Sequence, residues 1–528
     1  MSFMPSRIWQ TLWPGILLLL GLRLAYGLWA LPNPDEAYYW LWGQQLDWSY
    51  YDHPPFHAWV QGLAAMALGQ GCWVLRLPTV LSSGLFLAIY YRLCGHLYGS
   101  QQRLAFGVLL GALLASPLYF IYLAMAWQDQ WLMVFSLFSA AGLVQFLEQY
   151  QASSPRYGQL YGAALGLGLA GLCKYTALFV GLAALGVIVT HTPSQLRRRA
   201  LYGALAIALL CQVPILIWNA QHNWLSVAYY VTRSVDSGSA GLRLKPLEVL
   251  GFWGLCGLIL SPVITWALWR VCRGPILARC PAIYRAMALW LFGVSTGLLS
   301  VVALFSTALH YWNILAYLLL LPLLPAFFLQ VATPNLPSAP PSSHQPALSL
   351  RPAWRHRRLF QIMQGVGIIA ALALLVNGSV FPLAALAGPD GDHESRILYG
   401  WEQVANAVQT QLAAMPATTQ VLTTDYRSAA LLSYALRSHA PKQPPDCLEN
   451  EPCQPAVLAV STRKDQFDIW AARQSFEDKP VLLLADDWHP ITPETAAALP
   501  ALTRPGDVEI WHRGVFIKTY RLYRSIDM

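Results

Sequence analysis

Charge is what this 528-residue chain has least of. Asp, Glu, Lys and Arg make up 11% of it against 56% hydrophobic residues. Soluble domains carry about 25% charged residues, so a soluble fold cannot account for the whole chain. Other absences narrow the field further. The polar C-terminal part has no Gly-rich phosphate loop, which leaves a nucleotide-binding role without support. No 20–50-residue repeat is visible, which argues against solenoids and the internal repeats of many transporters. The nine cysteines are scattered without metal-ligand spacing. The net charge of +8 is confined to a few short loops, a pattern that orients a membrane protein and does not indicate a nucleic-acid surface.

What the chain does have is apolar runs. Leu-rich stretches of about twenty residues, roughly the length that spans a bilayer core, recur through the first 385 positions. Eleven hydrophobic helices are expected, near 12–30, 74–92, 103–122, 131–148, 159–173, 175–190, 199–218, 247–270, 285–306, 311–330 and 360–383. Loops on the N-terminal side of the array hold fifteen arginines, among them Arg7, Arg92, Arg156, Arg197, Arg270 and Arg357. The opposite short loops hold five cations: Arg76, Lys174, Arg233, Arg243 and Lys245. The excess places the N-terminus inside. An odd number of helices then puts the C-terminal part outside, in a multi-pass protein of the plasma membrane. Arg23 and the lack of a small-residue cleavage site favour an uncleaved first helix.

Three segments interrupt the helices: outer loops 31–73 and 219–246, and a Pro/Ser-rich stretch, 333–358, expected to be a disordered inner linker with a lipid-binding basic end. The expected organisation is a membrane domain over 1–386 and a small outer α/β domain over 388–528. Within the latter, "YGWEQVANAVQTQLAAM" and "YRSAALLSYALRSH" have helical periodicity, and "TQVLTT", "PAVLAV" and "KPVLLLAD" read as buried strands. "DVEIWHRGVFIKTYRLY" alternates like a hairpin. Cys447 and Cys453 there could form a disulfide, a zinc pair or two free thiols.

The first outer loop, "LPNPDEAYYWLWGQQLDWSYYDHPPFHAW", concentrates polar chemistry in a greasy chain. Asn33, Pro34 and the acidic pair Asp35–Glu36 make a good helix start, with Glu36 at the N3 position of a capping box. Capping alone would explain that pair. The company on the same expected side points elsewhere: Asp129 in "AMAWQDQW", Lys174 in "GLCKYTA", His222 and Arg233 in the second loop, and His310 in "LHYWN". Snorkelling or capping explains each singly. Together they make an acidic and basic cavity at one membrane surface, where an enzyme would act on a lipid head group.

"DEAYYWLWGQQLDWSYYDHPP", "RLPT", "WQDQW", "LCKYTA", "PILIWNAQHNW", "HYWN" and the late "YGWEQ", "YRSAALLSYAL" and "RKDQFDIW" resemble a bacterial membrane glycosyltransferase family, the one related to protein O-mannosyltransferases and the lipid A aminoarabinose transferase. The resemblance implies a GT-C fold with two helices in the first outer loop and a soluble outer domain. It implies a polyprenyl-phosphate sugar donor, inversion at the anomeric carbon, and a lipid, glycan or protein acceptor. It implies Asp35 as general base supported by Glu36. Tyr51, His53, Asp129, Lys174 and Arg233 would contact donor or phosphate, and Asp52 with His222 would hold a divalent metal. Relatives often have Glu-Lys where this chain has Asp52-His53, which leaves the metal open. The rival reading is a flippase for lipid-linked sugars, but transporters place charges near the bilayer midplane, and only Arg23 fits that placement.

Overall fold

The computed structural model describes residues 7–526 apart from 70, 235–243, 332–347, 389–392, 439–456, 462, 472–475 and 477–478. The apolar runs form helices that leave large side chains uncovered: Leu17, Leu18, Leu24 and Leu28 on helix Arg7–Trp29 are all exposed. A soluble protein would bury such a surface; lipid covers it at no cost. Helix Gln128–Gln151 is the opposite case, with most of its length buried among its neighbours.

Each of the eleven expected segments carries helix, though not as eleven straight rods. Among the described residues, five segments are long and apolar enough to cross a membrane: Ile8–Trp29, Trp73–Ala115, Gln128–Gln151, Ala282–Phe305 and Arg357–Ser379. Three bent pairs bring the number to as many as eight if each pair is one span. Proline explains the bends, because it lacks the N–H a helix interior needs and clashes with the preceding turn. Helices Pro246–Leu260 and Pro262–Arg273 meet at 104°, where Ser261 takes a φ of 100° just before Pro262. Pro322 and Pro325 lie in the pair bent by 53°. Tyr157–Gly171 and Leu178–His191, at 15 and 14 residues, are shorter than a straight span requires.

Arg23, the charge best suited to a transport reading, is tied to structure. Its guanidinium donates to the Leu123 carbonyl and, at 2.6 Å, to the Ser83 hydroxyl. The stretch expected to be a disordered linker, 333–358, is different in its described part. Strand β2 (Leu350–Trp354) pairs antiparallel with β1 (Leu329–Val331), because Leu348 and Leu350 are buried apolar anchors that composition averages away.

The chain divides into two compact units. One holds residues 1–24, 53–56 and 79–372; the other holds 25–52, 57–78 and 373–528. The second unit is built on a five-stranded sheet of order β4-β3-β5-β7-β6. Strands β3 (Gln420–Thr423), β4 (Val457–Ala459) and β5 (Val481–Asp486) are parallel, and β3 is flanked by the other two. Strands β6 (Leu502–His512) and β7 (Val515–Ser525) form the expected hairpin, with β7 antiparallel to β5. Its two-residue turn, Arg513-Gly514, has positive φ at both positions, the conformation that matches strand twist. Helices Trp401–Leu412 and Tyr426–Ser438 also lie where their periodicity predicts. Gly400, in "YGW", has φ of 87° and faces Ile510 so closely that a Cβ would stand 2.1 Å from its methyl carbon.

Candidate active site

In the second unit the acidic pair is resolved residue by residue. Helix Pro34–Gln44 starts on the expected capping box: the Asn33 side chain accepts from the Asp35 N–H, and the Glu36 carboxylate accepts from the Asn33 N–H at 3.0 Å. Glu36 is fully buried and clamped by Arg76, whose Nε and Nη2 donate to its two oxygens at 2.9 and 2.7 Å. The same guanidinium donates to the carbonyls of Gly27, Ala30 and Leu31. Every face of Glu36 is spent on structure. Asp35 is half-buried, and among the described residues its carboxylate accepts no hydrogen bond and joins no ion pair.

That freedom has an electrostatic consequence. Burial pushes the Asp35 carboxyl up to about 6, with Glu394 and Asp52 adding to the rise and Arg463 and Arg427 opposing it. The neighbouring Glu36 charge is neutralised by Arg76, and the like charges that act on Asp35 are Glu394 and Asp52.

The helix carrying Asp35 is fixed by aromatic packing within the unit. Tyr38 meets Tyr426 at 5.2 Å and Phe467 at 5.6 Å between ring centres, and Trp40 meets Tyr434. The Gln466 N–H donates to the Tyr38 hydroxyl, and the Gln466 side chain accepts from the Tyr51 N–H, both at 2.8 Å. Tyr51 therefore enters through its backbone. Asp52 is buried, hydrogen-bonds Tyr38 and lies 3.6 Å from Arg463. The Arg463 guanidinium covers the Tyr426 ring at 4.4 Å.

Next to these lies Asp465, which sequence reasoning did not single out. It is buried, and one of its carboxylate oxygens has no partner among the described residues. Burial, with Asp468 and Asp52 nearby, raises its pKa to about 8. Its place in "RKDQFDIW", beside motif residues that contact Tyr38 and Tyr51, is the signal that would have found it.

The first unit gathers the other expected residues. Lys174 donates to both oxygens of Asp129, at 2.8 and 2.9 Å, in a buried pair, and lies 5.5 Å from the centre of the Tyr311 ring. The backbone after helix Tyr157–Gly171 sets this position: the Lys174 N–H still bonds to the Ala170 carbonyl while its φ of −161° is extended. His53 Nδ1 is 2.8 Å from the Tyr230 hydroxyl, and Tyr230 packs edge-on against Tyr175. His222 closes helix Val213–Gln221, donating from Nδ1 to the Trp218 carbonyl at 2.8 Å and stacking on its ring. Arg233 lies in the last turn of helix Leu225–Ser234, with its side chain outside the described residues. Cys447 and Cys453 are also outside them.

The expected metal ligands do not form a set. Among the described residues no group of three or more His, Cys, Asp or Glu is arranged to hold a metal ion. Asp52 is taken by Tyr38 and Arg463, and His222 keeps only its Nε2 for a ligand.

Comparison with known proteins agrees with these motifs. Residues 52–218 match the family described as dolichyl-phosphate-mannose-protein mannosyltransferase. A lipid A galacturonosyltransferase, RgtD of Rhizobium johnstonii, is 27% identical over 291 residues, 54% of this chain; the match spans 58% of that relative's length. Crystal structures of ArnT from Cupriavidus metallidurans share the fold over 97% of both chains. The TM-score is 0.57 at 15% identity for the form bound to undecaprenyl phosphate, and 0.56 at 14% for the apo form. Motif order, the family match over residues 52–218 and the fold agree: the chain has the fold of ArnT and carries within it a segment similar to the mannosyltransferase family.

Proposed function

We propose that this protein transfers a sugar, with inversion, from a polyprenyl-phosphate donor to a lipid acceptor at the outer face of a bacterial plasma membrane. The observation that carries the reading is the contrast within the acidic pair. Glu36 is neutralised and immobile, while Asp35 is uncommitted and has a pKa of about 6. A carboxylate in that state is a general base at neutral pH.

In the reaction, the oxygen of an acceptor hydroxyl bonds to the anomeric carbon as its proton passes to Asp35. The bond from that carbon to the phosphate oxygen breaks, and the electron pair leaves with the polyprenyl phosphate. The growing negative charge calls for fixed cations. Lys174 and His53 lie in the motifs that resemble the family, Arg233 is a further cation of the second outer loop, and Asp129 holds the Lys174 ammonium in place. RgtD by its name acts on lipid A, and one ArnT structure holds undecaprenyl phosphate. Both favour a lipid acceptor and a polyprenyl donor over the flippase reading.

Purified protein given a panel of polyprenyl-phosphate sugars, including galacturonic acid and aminoarabinose, should release free polyprenyl phosphate with one donor when lipid extract is present. Binding of donors without release, with lipid, glycan and protein acceptors all supplied, would sink the reading. A Lys174→Met/Asp129→Asn double variant, which avoids stranding a buried charge, should raise the donor KM and leave the acceptor KM unchanged.

The orientation belongs to the same reading: fifteen arginines against five cations put the N-terminus inside. A periplasm-dependent alkaline phosphatase fused after Met528 should be active, and the same reporter fused ahead of the first helix should be silent. The reverse pattern would overturn the topology.

A further inference from the structure

The second unit contains a cavity to which no role has been assigned above. Its volume is about 490 Å³, and Asp425, Arg427, Arg463, Trp488, His489 and Thr492 are among its lining residues. All of them follow the carboxyl ends of parallel strands. Thr423 ends β3, and Asp425 and Arg427 come next; Ala459 ends β4 ahead of Ser461 and Arg463; Asp486 ends β5 ahead of Trp488 and His489. From β3 the chain passes to β4 on one side, then returns to place β5 on the other. Between β3 and β5 the connections diverge. In open α/β sheets, ligands bind at such a crevice, outside the carboxyl ends of the strands.

The side chains there form an ordered network. Arg427 Nη2 donates to His489 Nε2 at 3.0 Å, so His489 carries its hydrogen on Nδ1, facing Asp486 Oδ1 at 3.1 Å. Asp486 also pairs with the buried Lys518, whose ammonium lies 3.8 Å from the centre of the Trp488 ring. Glu394 and Asp425 bond Arg427 at 2.6 and 3.2 Å. Glu394 is 69% exposed, so water weakens its pairing with Arg427. Arg463, 44% exposed, lies flat on Tyr426 and presents its fork of donors beside the cavity. Two guanidiniums and the hydroxyls of Thr424, Ser461, Thr492 and Thr495 suit a sugar that bears a phosphate.

The crevice adjoins the helix of the base: Arg463 lies 3.6 Å from Asp52 and over the Tyr426 ring, and both Asp52 and Tyr426 contact Tyr38, on the same helix as Asp35. A ligand bound through Arg463 is therefore held close to the base. We infer that this crevice is the acceptor subsite: it binds a phosphate monoester carried on a sugar of the acceptor head group and so delivers the hydroxyl to Asp35. The acceptor part of this inference rests on the transferase reading; the binding part does not.

The test uses the full chain in nanodiscs with Asp35→Asn, so that no transfer occurs, and reads binding of glucosamine 1-phosphate by calorimetry. Removing a hydrogen bond to a charged group costs about 1.5–3 kcal/mol, roughly a tenfold or greater loss of affinity. Arg427→Ala should show that loss. Ser461→Phe should also show it by filling the cavity, and it leaves the Arg427 network intact should the arginine variant fail to fold. Unphosphorylated glucosamine should bind at least tenfold more weakly. Inorganic phosphate binding as tightly as the phosphorylated sugar would overturn the sugar part. Unchanged affinity in a folded Ser461→Phe protein would overturn the subsite. With Asp35 restored, Ser461→Phe should raise the acceptor KM about tenfold and leave the donor KM alone. Absence of turnover in wild type would remove the transferase reading, while the calorimetry would still decide whether the crevice binds phosphorylated sugars.

Discussion

Replacing Asp35 by Asn should lower kcat by about 10²–10⁴-fold, the contribution of a positioned general base, without unfolding the protein. The cap survives the change because it uses the Asn33 side chain, the Asp35 N–H and the Glu36 carboxylate, and not the Asp35 carboxylate. The pH profile carries the sharper expectation. A base works only when ionised, so wild-type activity should fall as pH drops through about 6 and level off above it. The groups that set this midpoint are Glu394 and Asp52, which raise it, and Arg463 and Arg427, which lower it. Stability runs the other way. Asp35 has a higher pKa folded than unfolded, so its ionisation above pH 6 disfavours the fold. Asp35→Asn should therefore be no less stable than wild type at pH 7. A thermal melt that drops sharply, or an acid limb centred near 4, would mean that Asp35 is an ordinary cap residue.

The second large effect is structural. Arg76→Ala should cost about 3–5 kcal/mol, the typical penalty for leaving one partner of a buried ion pair unpaired. Glu36 would be stranded with no water to solvate it, and the carbonyls of Gly27, Ala30 and Leu31 would lose their donor. The double variant Arg76→Met/Glu36→Gln removes the stranded charge and should recover much of the loss in a thermal melt. If Arg76→Ala alone melts like wild type, the clamp contributes nothing and Glu36 becomes available for chemistry. The two predictions separate the members of one acidic pair: changing Asp35 removes activity and keeps the fold, while disturbing Glu36 through Arg76 weakens the fold.

Much of this was legible in the sequence. Apolar runs predicted the helices, and period-2 and period-3.6 patterns predicted the strands and helices of the C-terminal sheet. "NPDE" predicted a capping box whose hydrogen bonds are all present. What could not be read was which distant residues answer these local signals. Arg76 was seen only as a loop cation, yet it holds Glu36 from forty positions away. Arg463, Arg427 and Glu394 set the state of Asp35 from a domain in which nothing looked catalytic. Local pattern reports backbone conformation and which face is apolar. It does not report which pairs of segments meet, and the state of a buried carboxylate depends on those meetings. His489 shows the same gap: nothing near it in the sequence marks it, yet it bridges Arg427 and Asp486.

The unit that carries Asp35 is assembled from three pieces of chain, 25–52, 57–78 and 373–528. The hydrogen bond from Tyr51 to Gln466 spans 415 positions. At the usual pace of synthesis, roughly 5–20 residues per second, the helix bearing the base waits about 20–80 seconds for its partner to be made. Contacts of such separation are also the slowest to close. The nascent chain is thus without a finished site while most of it is being inserted. A chain that stops short of residue 466 would lack one wall of the recess that makes Asp35 a base, so the C-terminal part acts as a proof of completion.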